Sequence, residues 1–215
     1  MVTVSDATTS SRHLALAGRM HGKLVHKRRV AVLAERIKEM LPPCSTLLDV
    51  GCGDGTIAKT ISQTVPGLQV TGAEYSARAN CAIPCTGFDG VHLPFPDKSF
   101  DGCMFIDVLH HSLDPLSIVR DASRLCRSFI LIKDHVAETS LDHWTLRLMD
   151  WAGNRPYGVV LPYTYLSGQQ WKELYRDADL TEQRVDRAIP LYPFPFSLIF
   201  GRNLHFISVL TVSSH

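Results

Sequence analysis

The chain has 215 residues, 45% hydrophobic and 20% charged, with 22 basic and 21 acidic side chains for a formal charge of +1. This length suits one hydrophobic core, and the balanced charge gives no global electrostatic case for a nucleic-acid partner. No apolar run reaches the 18 residues of a transmembrane helix, and the polar start Met1–Ser11 lacks the features of a secretory signal. A cytoplasmic protein is therefore expected, a single domain over 1–215 with a flexible segment over 1–20.

In chain order, Val30, Leu33, Ile37 and Leu41 recur at helical spacing and predict an amphipathic helix over His26–Leu41, ended by Pro42-Pro43. Its basic start, including Lys27, Arg28 and Arg29, is expected on a solvated face. Thr46–Val50 reads as a short buried strand running into glycines, Thr56–Val65 as a helix, and Leu68–Ala73 as a strand closed by Glu74. Only 14 residues separate Glu74 from Asp89, so the helix and strand between them must be short. Phe100–Val108 is a further apolar strand. Asp114-Pro115 opens a helix through Leu125, with proline suited to the first helical position, and Phe129–Ile132 is another central strand.

Leu141–Trp151 reads as a helix with Trp144, Leu148 and Trp151 on one face, and core packing is the expected role of each tryptophan taken singly. Gly153–Ser167 is an aromatic loop and Gln169–Ala178 a helix, while Thr181–Ile189 and Asn203–Val212 are terminal strands. Strand and helix alternating in this way predict an α/β fold, a mostly parallel sheet with helices on both faces. Ligands of such sheets bind along the rim of the strand ends.

Chemistry enters at Asp49-Val50-Gly51-Cys52-Gly53-Asp54-Gly55. Glycines let the backbone turn sharply and approach a ligand closely. Glu74, after the next strand, is placed to accept hydrogen bonds from ribose hydroxyls. A dinucleotide site prefers Gly-x-Gly-x-x-Gly facing a pyrophosphate. Here Asp49 and Asp54 would repel pyrophosphate, whereas they suit a cofactor carrying an ammonium and a sulfonium. The charges therefore favour S-adenosylmethionine over NAD, with a tight turn that binds no ligand as the other reading.

On these residues the chain resembles the class I, Rossmann-like S-adenosylmethionine-dependent methyltransferases, in the methyltransferase-11 group that includes the ubiquinone and menaquinone C-methyltransferases. Leu48–Gly55 matches the first motif, and Glu74 the acid that grips the ribose. Asp89 matches the acid that contacts the adenine amino group. Phe95–Asp101 and Ile106–His111 follow the family pattern through the fourth strand. The resemblance covers roughly residues 25 to 135. It implies a three-layer sandwich around a seven-stranded sheet of order 3-2-1-4-5-7-6. It also implies a cofactor held by Asp49, Gly51, Cys52, Gly53, Gly55, Glu74, Tyr75, Asp89, Gly90, Asp107 and Val108, the last two beside its methionine part.

Methyl transfer from a sulfonium is an in-line displacement, so alignment of the nucleophile dominates. An oxygen or carbon nucleophile also loses a proton, and histidine is the natural base near neutral pH. His110 and His111 after the fourth strand, and His135 after the fifth, are the candidates. The alternatives for them are capping the next helix or bonding a loop. Met149, Asn154, Tyr157, Tyr163 and Tyr165 are expected to shape the acceptor pocket. Residues 136–202 are then acceptor-site insertions and a lid, with Leu191–Phe200 a hydrophobic cover or a patch that approaches lipid.

The expected acceptor is a small or medium organic molecule with an apolar part, handled by a monomer or homodimer. A protein or nucleic-acid methyltransferase, and a regulatory protein that retains the cofactor without catalysis, are the other readings. The six cysteines, at 44, 52, 81, 85, 103 and 126, read as free thiols of a reducing compartment. Cys81-x-x-x-Cys85 has no second paired cluster along the sequence, so no metal site is expected.

Overall fold

The computed structural model describes residues 27–75, 80–154, 162–194, 197–201 and 203–213. The strands are β1 (Thr46–Val50), β2 (Gln69–Glu74), β3 (Cys85–Gly87), β4 (Phe100–Ile106), β5 (Cys126–His135), β6 (Leu180–Asp186) and β7 (His205–Val212). They form one sheet in the order β3-β2-β1-β4-β5-β7-β6. All neighbours are parallel up to β5, and β7 then runs antiparallel between β5 and β6.

Period-two alternation explains the three layers. Leu47, Met104, Leu131 and Ile207 face α1 (27–40) and α2 (Thr56–Thr64). Leu48, Phe105, Ile130 and Phe206 face α3 (Pro115–Leu125) and α5 (Gly168–Asp177). With both faces covered, the middles of the central strands are apolar runs, such as Cys103–Ile106 and Phe129–Ile132. The helix ends follow local chemistry. Asp114 accepts from Ser117 N at 3.0 Å with Pro115 in the first turn of α3, and Ser167 and Gln170 form a capping box before α5. α4 (Ser140–Asn154) lies between β5 and α5 in the chain, and α6 (Ser197–Phe200) is a single turn.

Three expectations change. β5 continues to His135, so Lys133, Asp134 and His135 are strand residues with fixed side-chain directions rather than loop residues. Antiparallel pairing with β7, His135 opposite His205, holds this extension. β6 ends at Asp186, short of the expected Ile189, although Ile189 and Leu191 are buried against the α1 side of the core. Trp144 and Trp151 are not core residues: they are 64% and 48% exposed on α4, whose inward positions are Thr145 and Leu146. No helix among the described residues is long and apolar enough to cross a membrane. The expected 1–20 segment and Tyr157 lie outside the described residues, as does the side chain of Asn154.

Candidate active site

The parallel strands end on one rim at Val50, Glu74, Ile106 and His135. The glycine loop leaves β1 with φ of 72°, 59° and 72° at Gly51, Gly53 and Gly55, a region costly for any residue with a Cβ. The three glycines face different surroundings. A Cβ at Gly51 would come within 2.5 Å of Val108, and one at Gly55 within 2.8 Å of Cys81 Sγ. A Cβ at Gly53 would meet nothing within 4 Å. Gly51 and Gly55 are therefore glycines because protein packs against them. Gly53 borders open space, and its N–H donates to Glu74 Oε2 at 2.7 Å.

Asp49 is buried beneath this loop, and its Oδ1 has no hydrogen-bond partner among the described residues. Burial first, then the charge of Glu74, pushes its pKa well above the ordinary carboxylate value. A buried acceptor left in this state is costly. A cationic amine placed between Asp49 and Glu74 would relieve both the desolvation and the repulsion. The residues present thus fit the ammonium-bearing cofactor that the loop implies.

Asp89 follows the three-residue β3. Its carboxylate accepts from the backbone N–H groups of Val91 and His92, at 2.8 and 2.6 Å, which lower its pKa to about 2. It orders its own loop while remaining largely exposed at the sheet edge. Tyr75 is exposed with its ring over Gly90, whose φ is 93°.

Asp107 sits immediately after β4 with φ 56°, an uncommon conformation for a non-glycine residue. Its carboxylate is ion-paired with Lys133 and with Arg29, and His135 Nδ1 is 3.7 Å away. Burial would raise its pKa, but Lys133 and then Arg29 hold it well below the usual carboxylate range. The basic start of α1, expected on a solvated face, instead turns inward at this position. Arg28 also donates to the carbonyl of Pro190 at 3.2 Å. Lys133 is fully buried, 3.3 Å from His205 Nδ1.

His110 and His111 form a 3-10 turn after Asp107, beside Asp134 of β5. His110 Nδ1 lies 2.6 Å from Asp134 Oδ1, and its Nε2 is 3.5 Å from Asp150 Oδ2. Burial alone would lower its pKa, but Asp134 and then Asp150 raise it to about 10. It is an imidazolium at neutral pH. His111 is driven the other way, to about 4, by burial and then by the adjacent His110 charge, and is neutral. Burial, then Lys133, also lowers His135, which is 3.2 Å from Asp134 Oδ1.

Asp150 further accepts a hydrogen bond from the Tyr165 hydroxyl. Tyr165 is buried, and with Leu146, Ala137 and Leu204 it forms a small cluster on which Met149 packs. Tyr163 instead borders a groove of about 600 Å³ lined by Ser140, His143, Trp144, Arg147, Leu148 and Trp151. The Arg147 guanidinium stands 4.8 Å over the Tyr163 ring. Sequence reasoning missed Arg29, Lys133, Asp150 and His205. None of the four belongs to a contiguous motif, since each acts through partners on other elements.

Residues 24–184 match the profile of a family described as a methyltransferase domain. The chain belongs to this methyltransferase-domain family. Over 110 residues it is 32% identical to the 27-O-demethylrifamycin SV methyltransferase of Amycolatopsis mediterranei (strain S699), a match covering 44% of this chain and 40% of that one. It is 28% identical to the probable tRNA methyltransferase 9B of Homo sapiens over 99 residues, 44% of this chain and 22% of that one. The matches thus span less than half the length of these curated relatives. One similar fold belongs to the complex between the Haloferax volcanii Trm112 methyltransferase activator and a methyltransferase. Its TM-score is 0.70 at 16% identity, covering 93% of this chain and 96% of that one. The seven-stranded sheet of this methyltransferase domain has the class I, Rossmann-like order.

Proposed function

We propose that this methyltransferase-domain protein transfers the methyl group of S-adenosylmethionine to an oxygen of a small or medium, partly apolar organic acceptor, with carbon the alternative atom. One observation carries the reading. On the ends of the adjacent strands β1 and β4 stand a buried carboxyl group whose Oδ1 has no hydrogen-bond partner among the described residues, the open space over Gly53, and a neutral, half-buried imidazole at His111. The first two suit the cofactor. The third suits a base for an acceptor hydroxyl. His110, held as an imidazolium between two carboxylates, orients the turn and takes no proton.

The aromatic groove beside α4, with Tyr163, Trp144 and Trp151, supports an acceptor with flat apolar parts. The methyltransferase of Amycolatopsis mediterranei bears an oxygen acceptor in its name, which favours oxygen. In this reading Glu74 and Asp89 face the ribose and adenine, and the likeness of the Leu48–Gly55 motif supports kinship with the methyltransferase-11 group. A tRNA acceptor, suggested by the human relative, is the second reading. The formal charge of +1 weighs against the many phosphate contacts such a substrate requires.

The test is calorimetric titration with S-adenosylhomocysteine, followed by transfer of labelled methyl from S-adenosylmethionine to a panel of phenolic and aliphatic alcohols, carbon acids and tRNA. Cofactor binding with label in an alcohol or phenol is expected. Absence of cofactor binding overturns the reading, and binding without transfer to any acceptor favours a regulatory protein. Label in tRNA alone favours the second reading. Replacing His111 by alanine should lower kcat by about 10²–10⁴-fold while leaving cofactor affinity nearly unchanged, the scale of a lost general base. Unchanged turnover removes His111 from that role.

A further inference from the structure

Three thiols, Cys81 and Cys85 close in sequence and Cys52 distant from both, meet against the glycine loop. Cys52 Sγ lies 3.5 Å from Cys85 Sγ and 4.0 Å from Cys81 Sγ, and all three sulfurs fall within 4.8 Å of one another. They come from the loop itself, from the segment before β3, and from the first residue of β3. Backbone bonds tie the pieces together: Ala82 N donates to the Asp54 carbonyl at 2.8 Å, and Gly72 N to the Pro84 carbonyl at 2.7 Å. The cysteines are free thiols as expected, and spacing along the chain does not show that three of them meet, because the third sulfur arrives across the sheet.

Two glycines leave room for the cluster. A Cβ at Gly72 would stand 2.5 Å from Cys52 Sγ, and one at Gly55 2.8 Å from Cys81 Sγ. The sulfurs occupy the space that ordinary side chains at these positions would fill. A tetrahedral ion with ligand bonds of about 2.3 Å has ligand-to-ligand edges of about 3.8 Å. The measured separations bracket that edge.

We propose that Cys52, Cys81 and Cys85 bind a thiophilic metal ion of the Zn²⁺ class, with three thiolate ligands and a fourth position open to water. Each thiol enters as thiolate, so binding releases protons. A divalent cation also suits the neighbourhood, because Asp49 and Glu74 lie close enough to oppose negative charge on Cys52 and Cys85. The ion would brace the turn that carries Gly53. The site itself is independent of the cofactor reading.

The test titrates the reduced protein with Zn²⁺ against a chromogenic chelator, and with Cd²⁺ while following thiolate-to-metal charge transfer in the ultraviolet, a band that histidine and carboxylate sites do not give. One ion per chain with proton release is expected. Cys85→Ser and Cys81→Ser should each weaken binding by at least about 100-fold, beyond what outer partners of a metal ligand contribute. Cys44→Ser, remote from the cluster, should leave it unchanged. Unchanged affinity in folded Cys85→Ser, or no charge-transfer band in the native protein, overturns the proposal. So does a Cys52–Cys85 disulfide formed with hydrogen peroxide (two thiols giving one disulfide and two waters) in protein that takes up no metal. S-adenosylhomocysteine titration of the same samples separates this result from the cofactor reading, since either can fail while the other stands.

Discussion

His110 is held on the rim between two carboxylates, Asp134 and Asp150. Its ordinary pKa of 6.5 rises to about 10 in the folded chain because Asp134 and Asp150 hold its charged form. A group whose pKa is raised by folding stabilises the fold fully below its unfolded value, and that contribution fades as pH climbs through the folded value. The window therefore runs from about pH 6.5 to about 10. Replacing His110 by glutamine should narrow the gap in urea midpoint between wild type and variant progressively across that window. A gap independent of pH would show that His110 is neutral in the native state. His111 gives the opposite signature. With a pKa near 4 it is already deprotonated at pH 6, so kcat should lack an ascending limb near pH 6.5.

At the scale of the element, the glycine loop combines two demands that a string of glycines conceals. Gly55 is crowded by Cys81 and Ile83, whereas a Cβ at Gly53 would stand in open space, where the proposed cofactor would approach. Both hold positive φ, so alanine at either costs roughly 1–2 kcal/mol of backbone strain. Gly55→Ala adds overpacking of about 1–3 kcal/mol, so it should lower the melting temperature more than Gly53→Ala does. Gly53→Ala should instead weaken S-adenosylhomocysteine binding more than Gly55→Ala does. Equal effects of the two on both readouts would refute the division of labour. The aromatic face of α4 is a similar case. Trp144 and Trp151 match the helical period of a core stripe, yet they line an open groove. Period alone states that residues share a face, not what that face meets.

For the whole molecule, the central strands of the sheet lie buried between two helical layers, while the edge strands β3 and β6 are largely exposed. Phe105 is fully buried in β4, a strand bonded on both sides, to β1 and β5. Phe105→Ala should cost about 3–5 kcal/mol through lost burial and a cavity. Against a total stability of about 5–15 kcal/mol, that is a large share. Chemical denaturation should show a clearly lower midpoint, and a shift under about 1 kcal/mol would mean that neighbouring side chains collapse into the space.

The helices on both faces were legible from local periodicity and the glycine loop with Asp49 from a contiguous motif, with Glu74 closing the next strand, while the sheet order came as what the family resemblance implies. Tertiary structure alone decided which residues oppose one another on the rim. Arg29 on α1, Asp107 after β4 and Lys133 on β5 meet only when three separate elements are packed. The same holds for His110, Asp134 and Asp150, and for the three thiols around Cys52. The physical reason is that strand pattern sets a residue's face within one element, whereas charge state depends on which foreign side chains share that residue's low-dielectric surroundings. His110 and His111 are adjacent in sequence and identical in type, and packing alone separates their pKa values to about 10 and about 4.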